Sequence, residues 1–372
     1  MHFDVAIIGA GMAGASLAAE VAGDMSVVVL EAESQPGYHA TGRSAAFWHE
    51  TYGGPDVQPL SKASHGWLAA PPAELDVATF LAPRGAITLC KSGERNKLEA
   101  FAESFESNGL RFEWLDRSGL DLHCPGLKPE WTLGLREADC ADIDVAGVHQ
   151  AYLRLAARKG TVLRCNAALT SARLGANGWA LETRGGNVSA SILVDAAGAW
   201  ADEVAILAGV RPIGITPYRR TIAQLKFDQP IPRTLPLTID VNGQFYFKSD
   251  GADGVWLSPH DETPSPPTDA APEELDVAIA IDRLEQVVDW TVRQVTHKWA
   301  GLRSFAPDRL PVYGFDPGVP KFFWFAGQGG FGIQTAPAAA KIGASLLTGK
   351  APSPMVGQID PGRYAPGRFT LG

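Results

Sequence analysis

The first 31 residues constrain this chain more than any other stretch. Residues 4–9, Asp-Val-Ala-Ile-Ile-Gly, form an apolar, β-branched run suited to a strand buried on both faces. Gly9, Gly11 and Gly14 follow in Gly9-Ala10-Gly11-Met12-Ala13-Gly14, and the small residues from Ala15 to Ala22 continue as a helix. Val27-Val28-Val29-Leu30 reads as a second buried strand, which stops at Glu31. Strand, glycine turn, helix, strand and acid together describe a dinucleotide-binding unit. Gly9 permits the tight turn, Gly11 lets the backbone approach a pyrophosphate, and Gly14 lets the helix pack closely on the sheet. The helix N-terminus presents free N–H groups and the positive end of its dipole. Glu31 stands 20 residues after Gly11, the spacing of an acid that accepts hydrogen bonds from ribose hydroxyls and would repel the 2′-phosphate of NADP. The plainer alternative is a glycine turn in an α/β protein that holds no ligand.

At 372 residues the chain has room for two or three domains. A net charge of −9, from 32 basic and 41 acidic residues, disfavours nucleic acid as a partner. Cys90, Cys124, Cys140 and Cys165 are scattered without C-x-x-C pairing, so reduced thiols are expected and no metal site. No apolar run reaches ~18 residues, so no transmembrane segment is expected. The first strand begins at once, which leaves no room for a signal peptide. The expected location is cytoplasmic, with peripheral contact at the inner membrane left open.

Further along, periodicity predicts helices over 57–69, 96–108, 145–158, 273–291 and 333–348. Strands are expected at 86–90, 161–165, 168–174, 179–183, 188–191, 215–227, 237–240, 244–248, 255–257 and 322–326, and 192–200 reads as a buried strand running into a small-residue turn and a helix. His39 to Phe47 is a polar loop placed to wrap a cofactor, where Arg43 and Ser44 could meet phosphate or a ring edge; Ser44 could equally cap a helix. Gly327-Gln328-Gly329-Gly330-Phe331-Gly332 opens the last helix and can aim a second dipole at a ligand. The fold class is therefore α/β, a Rossmann-type domain with a second α+β domain on a mostly antiparallel sheet. The expected division assigns 1–54, 140–208 and 300–372 to the cofactor domain and 55–139 with 209–299 to the substrate domain.

Four stretches, Asp4–Glu31, Gly37–Ala46, Leu193–Trp200 and Trp324–Thr335, together with their spacing, resemble the D-amino acid oxidase superfamily of flavoproteins, the group of glycine oxidase and sarcosine oxidase. Within it, the runs from Gln35 to Ala46, Trp299 to Phe305 and Gln328 to Thr335 are similar to the bacterial FAD-dependent D-arginine dehydrogenases. The resemblance implies FAD and a flavin lying between two domains. Relatives that bind flavin covalently use a C-terminal cysteine; the last cysteine here is Cys165, so FAD is expected to be non-covalent. The residues implied to hold it are Gly9, Gly11, Met12, Ala13, Gly14, Glu31, Ala32, Arg43, Ser44, Ala45, Ala168, Ala197, Gly198, Gly329, Gly330, Phe331, Gly332, Ile333 and Gln334.

Oxidation of an α-amino acid needs its carboxylate fixed and its Cα–H aimed at the flavin. Arginine suits the first task, because its planar fork gives two parallel hydrogen bonds. Arg303 is one candidate. Arg219 and Arg220 are neighbours on a strand, so only one of them can face the pocket, and the resemblance selects Arg220. For either residue the bland alternative is an ordinary salt bridge. Tyr52 and Tyr246 match tyrosines that surround the substrate in the resembled enzymes, and Gly330 would place backbone beside the amino group. The resemblance also puts Ala86 where those enzymes carry a glutamate and Phe47 where they carry a histidine. With Leu237 and Ile239 as further wall, it implies a D-amino acid dehydrogenase that favours neutral or apolar side chains over D-arginine. His49 could restore polarity or serve as base, although a loop histidine is more often structural; Glu50 could also restore polarity. The electron acceptor stays open, with a quinone or respiratory carrier among the candidates. Oxidation of an N-methyl amino acid or a 2-hydroxy acid, or use of oxygen, are the alternatives.

Overall fold

The computed structural model describes residues 2–251 and 253–369. Two sheets carry the architecture. The first is built on the central strand His2–Ile8, flanked in parallel by Val27–Leu30 on one side and Val188–Asp195 on the other. Phe322–Ala326 continues the parallel run beyond Val188–Asp195, and Val162–Arg164 continues it beyond Val27–Leu30. These strands are apolar because helices cover them; Val5, Ala6 and Ile7 are fully buried. Helix Met12–Val21 packs between Val145–Arg158 and the last helix, Gly332–Thr348.

The small residues of Met12–Val21 permit that packing. A Cβ on Gly14 would lie 1.9 Å from the Gly9 carbonyl oxygen, so the helix can seat on the turn only with glycine there. Gly9 itself has φ +96°, a conformation other residues avoid.

The second sheet is largely antiparallel and is dominated by two long strands, Thr216–Phe227 and Val292–Phe305. From there it runs through Gly254–Ser258, Tyr246–Ser249 and Leu237–Asp240 to Ala86–Lys91 and Trp131–Glu137. Its outer face is covered by helix Glu274–Glu285 and a separate apolar cluster around Phe247, Leu225 and Leu284.

Most expected elements lie within a residue or two of the observed ones, and several differences have physical causes. The strand expected at 188–191 and the one expected to begin at Ile192 are one strand, Val188–Asp195. It pairs antiparallel with Gly178–Thr183 at its start and parallel with His2–Ile8 along its length. The helix expected to run to residue 291 ends at Glu285, and the chain re-enters the sheet at Val292. The expected division at 299/300 falls inside Val292–Phe305, which stays in the second sheet to its end. Ser44 caps no helix; its Oγ accepts from the Ala46 N–H at 2.9 Å after a short 3-10 turn, Ala40–Arg43.

Candidate active site

The N-termini of two helices face one cavity. Helix Met12–Val21 begins at Gly11 and helix Gly332–Thr348 at Phe331, and neither has a side-chain cap. Orphan N–H groups at both ends are therefore open to a ligand; Thr41 Oγ1 takes only the Met12 N–H, at 2.9 Å. The cavity measures about 490 Å³ and extends from Gly11 and Glu31 to Gly301, Arg303 and Gly330. Glu31 is fixed at its rim, accepting from Ala10 N–H at 2.8 Å and Glu33 N–H at 3.0 Å. Uncapped helix ends, a glycine-lined floor and a fixed acid fit a dinucleotide cofactor.

Most of the expected cofactor residues line this cavity: Gly9, Gly11, Met12, Ala13, Glu31, Ala32, Arg43, Ser44, Ala168, Ala197, Gly198, Gly329, Gly330, Gly332 and Ile333. Four do not. Gly14 is spent on the helix–turn contact described above. Ala45 is buried in an apolar cluster with Ala86 and Leu237. Phe331 packs on Phe305 and Val57. Gln334 is held within the protein: its Oε1 accepts from His49 N–H, and its Nε2 donates to the carbonyls of His49 and Tyr52 and to Ser61 Oγ at 2.7 Å. Arg43 lines the wall, and its terminal nitrogens are engaged within the protein: the guanidinium donates to Ala270 O at 2.8 Å and Ala300 O at 3.3 Å and pairs with Asp269.

The two arginines meet on the inner face of the second sheet. Arg220 lies opposite Gly301, and Arg303 lies opposite Tyr218, so the two occupy diagonal positions roughly 7 Å apart on one face. The missing side chain of Gly301 brings them closer: a Cβ there would sit 2.9 Å from Arg303 Nη1, so that guanidinium reaches over the residue facing Arg220. Arg219 points the other way, to Glu273 and to Asp276 at 2.9 Å. The alternation expected from the strand is thus observed, with Arg220 inward.

Both inward guanidiniums are buried, Arg220 at 2% exposure and Arg303 at 6%. Arg220 donates from Nε to Asp261 O at 2.7 Å and from Nη2 to Glu262 at 3.1 Å, while its buried Nη1 has no hydrogen-bond partner among the described residues. Burial works against the charge of Arg220, but the Tyr52 and Tyr246 hydroxyls and the Glu262 and Asp261 carboxylates carry its pKa above the ordinary value. Arg303 is drawn below its ordinary value, first by burial and then by the like charge of Arg220. Two adjacent buried cations with an open donor call for an anion.

Tyr52 stands over the same point. A Cβ on Gly330 would lie 2.1 Å from its hydroxyl, so the glycine lets that oxygen reach the cavity wall. Tyr246 shares the inner face with Ile239, its cross-strand partner, and Leu237 lies beside Ala86 on the same face. The Phe47 ring closes the other side, 5.4 Å from Tyr52 and 5.8 Å from Tyr246. Burial pushes the Tyr246 hydroxyl above its usual pKa. His260, edge-on to Tyr246 at 5.4 Å, is pushed down to about 3 by burial and then by Arg220, so it stays neutral.

His49 is buried and its Nε2 lies 2.6 Å from Glu137, which also accepts from Thr51 Oγ1 at 2.7 Å. Glu50 turns away to Gln58 and adds no polarity to the pocket. Glu137 was not legible as a site residue. It lies directly across from Ala86 on the inner face, and only the strand pairing reveals a carboxylate beside a position expected to have lost one.

The model of a family described as FAD dependent oxidoreductase, DAO, matches residues 4–346. Glycine oxidase of Pseudomonas aeruginosa is 30% identical over 188 residues, covering 50% of this chain and 48% of that protein. Mitochondrial dimethylglycine dehydrogenase of Rattus norvegicus is 26% identical over 405 aligned positions, covering 99% of this chain and 45% of that protein. The chain spans about half or less of the length of these curated relatives. Among solved structures, glycine oxidase from Geobacillus kaustophilus superposes with a TM-score of 0.82 at 22% identity, covering 95% of this chain and 96% of that one. L-proline dehydrogenase from P. horikoshii gives 0.83 at 22% identity, with 99% and 97% covered. At such identities the structural likeness shows the fold. A cavity entered by two open helix ends and a family match running from the first strand into the last helix lead to one conclusion: this chain belongs to the DAO family of FAD-dependent oxidoreductases, and FAD is its cofactor.

Proposed function

We propose that the protein is a dehydrogenase that oxidises D-amino acids with neutral or apolar side chains in preference to D-arginine. Non-covalent FAD would supply the two-electron acceptor. Arg220 and Arg303 grip the carboxylate, which leaves Cα–H facing the cofactor side of the cavity. Backbone at Gly329 and Gly330 borders the amino group. Tyr52 and Tyr246 exclude water and steady the carboxylate through their hydroxyls. Phe47, Ala86, Leu237 and Ile239 form the side-chain wall. Loss of hydride and the amine proton gives an imino acid, which water converts to a 2-oxo acid and ammonia.

The observation that carries this reading is the buried, unpartnered Nη1 of Arg220 beside a second buried guanidinium. A charged hydrogen bond contributes about 1.5–3 kcal/mol, so apolar residues at 47 and 86, with Glu137 already held by His49 and Thr51, cost a cationic side chain about tenfold or more in turnover. The likeness to D-arginine dehydrogenases rests on the sequence runs alone. A second reading, oxidation of an N-methyl amino acid, is favoured by the similarity to dimethylglycine dehydrogenase and keeps the same carboxylate grip.

Anaerobic bleaching of the flavin by D-amino acids, their L-forms, N-methyl amino acids and 2-hydroxy acids tests both. Faster reduction by D-leucine, D-phenylalanine or D-methionine than by D-arginine supports the first reading. Reduction by N-methyl amino acids alone replaces it with the second. Peroxide formed in air would turn the dehydrogenase into an oxidase; its absence leaves a quinone or respiratory carrier as the acceptor to be tried.

A further inference from the structure

A proline-rich segment attached to the second sheet lines part of the cofactor cavity. Its sequence is Thr263-Pro264-Ser265-Pro266-Pro267-Thr268-Asp269-Ala270-Ala271-Pro272-Glu273. Both ends are fastened to one place on the strand Thr216–Phe227. Thr263 pairs with Arg219, and Ser265 N–H donates to Pro217 O at 3.1 Å. Glu273 returns to form an ion pair with the same Arg219. Between these anchors the segment leaves its own sheet, and Thr268 and Ala270 become part of the cavity wall.

There it is held by residues 38–43, on the cofactor side. Arg43 donates to Ala270 O at 2.8 Å and pairs with Asp269, whose other oxygen accepts from the Tyr38 hydroxyl at 3.1 Å. The Arg43 guanidinium also lies 5.1 Å above the Tyr38 ring. The contacts with Asp269 and Ala270 join a segment before residue 44 to one after residue 267, so they do not follow from local folding. Four prolines restrict the segment in the free state, which lowers the entropy lost when it is fastened.

We propose that the segment 263–273 is a strap that closes the cavity over bound FAD, and that Asp269 with Arg43 and Tyr38 is the latch that sets the rate of cofactor release. The strap makes no use of the arginines that grip the carboxylate, so the claim is independent of which substrate is oxidised. Asp269 is more than half exposed, and its part of the latch weakens with salt; the bond to Ala270 O does not depend on it.

The test uses the purified holoenzyme. Released FAD is followed by its fluorescence after dilution, and strap protection by amide exchange over 266–272 with and without FAD. Asp269→Ala is expected to release FAD about threefold to fivefold faster than wild type with kcat nearly unchanged in excess FAD, and Tyr38→Phe about twofold faster, in line with a lost exposed ion pair and a lost neutral hydrogen bond. Exchange over 266–272 is expected to slow on FAD binding. Unchanged release in both variants overturns the latch, as does exchange at 266–272 that FAD leaves unaltered. If Asp269→Ala does not fold, Tyr38→Phe and the exchange comparison decide. Flavin that stays attached after acid denaturation overturns a role in release outright.

Discussion

The two sides of the candidate site are made of different material. The cofactor side is mostly backbone and small side chains: two open helix ends, glycine turns and a run of alanines. The substrate side is side chains, and large ones: two arginines, two tyrosines and a phenylalanine, of which Arg303 lines the cavity while Arg220, Tyr52, Tyr246 and Phe47 do not. A backbone site is encoded where the chain turns. A side-chain site is encoded by which strands become neighbours. The first tolerates few residues but leaves a short sequence pattern; the second leaves none until the sheet is assembled.

The sharpest way to break this comparison is Gly14→Val. A Cβ there meets the Gly9 carbonyl at 1.9 Å, so the turn must open, and the purified protein is expected to carry no FAD by its flavin-to-protein absorbance ratio. Arg220→Ala comes next. Removing one partner of a buried charged contact costs about 2–4 kcal/mol, or roughly 30- to 900-fold in kcat/KM, with flavin content unchanged. Arg220→Lys should recover little, because an ammonium lacks the fork. Phe47→His should raise kcat/KM for D-arginine relative to D-leucine about tenfold, as one hydrogen bond is restored.

A smaller effect concerns Asp195, fully buried at the end of Val188–Asp195, with Oδ1 accepting from Ala197 N–H and Oδ2 unpartnered. Burial pushes its pKa well above the ordinary carboxyl value. A raised folded-state value means its contribution to stability is intact below the unfolded value and is lost as pH rises through the folded one. Asp195→Asn is therefore expected to raise Tm by a few degrees at neutral pH, with the gain shrinking in acid below the ordinary carboxyl pKa. The smallest effect belongs to Arg219→Ala, the outward neighbour of Arg220. Its partly exposed ion pairs are worth under about 1 kcal/mol each, and kcat/KM should stay within about threefold of wild type.

The N-terminal unit was readable because each of its requirements is local. Gly9, Gly11 and Glu31 answer to a turn, a close approach and a fixed spacing, all within one strand–helix–strand. The helix 145–158 was equally plain, its periodic face spanning Val148 to Ala156. The strand Val292–Phe305 was not, because its first half is exposed and lacks the alternation that marks a half-buried strand. The flavin-edge role expected of Gln334 gave way to a tether on His49 and Tyr52, since nothing in its helix shows which loop will lie against it.

Sequence alone determined the cofactor class and the α/β plan, since free amides at a glycine turn and buried β-branched runs follow from nearest neighbours. It also determined that Arg219 and Arg220 must point in opposite directions. Only the tertiary structure decided which one points inward, that Gly301 opens room between it and Arg303, and that Glu137 stands opposite Ala86. Those facts depend on the register between strands far apart in the chain, and register is set by the whole packed face at once.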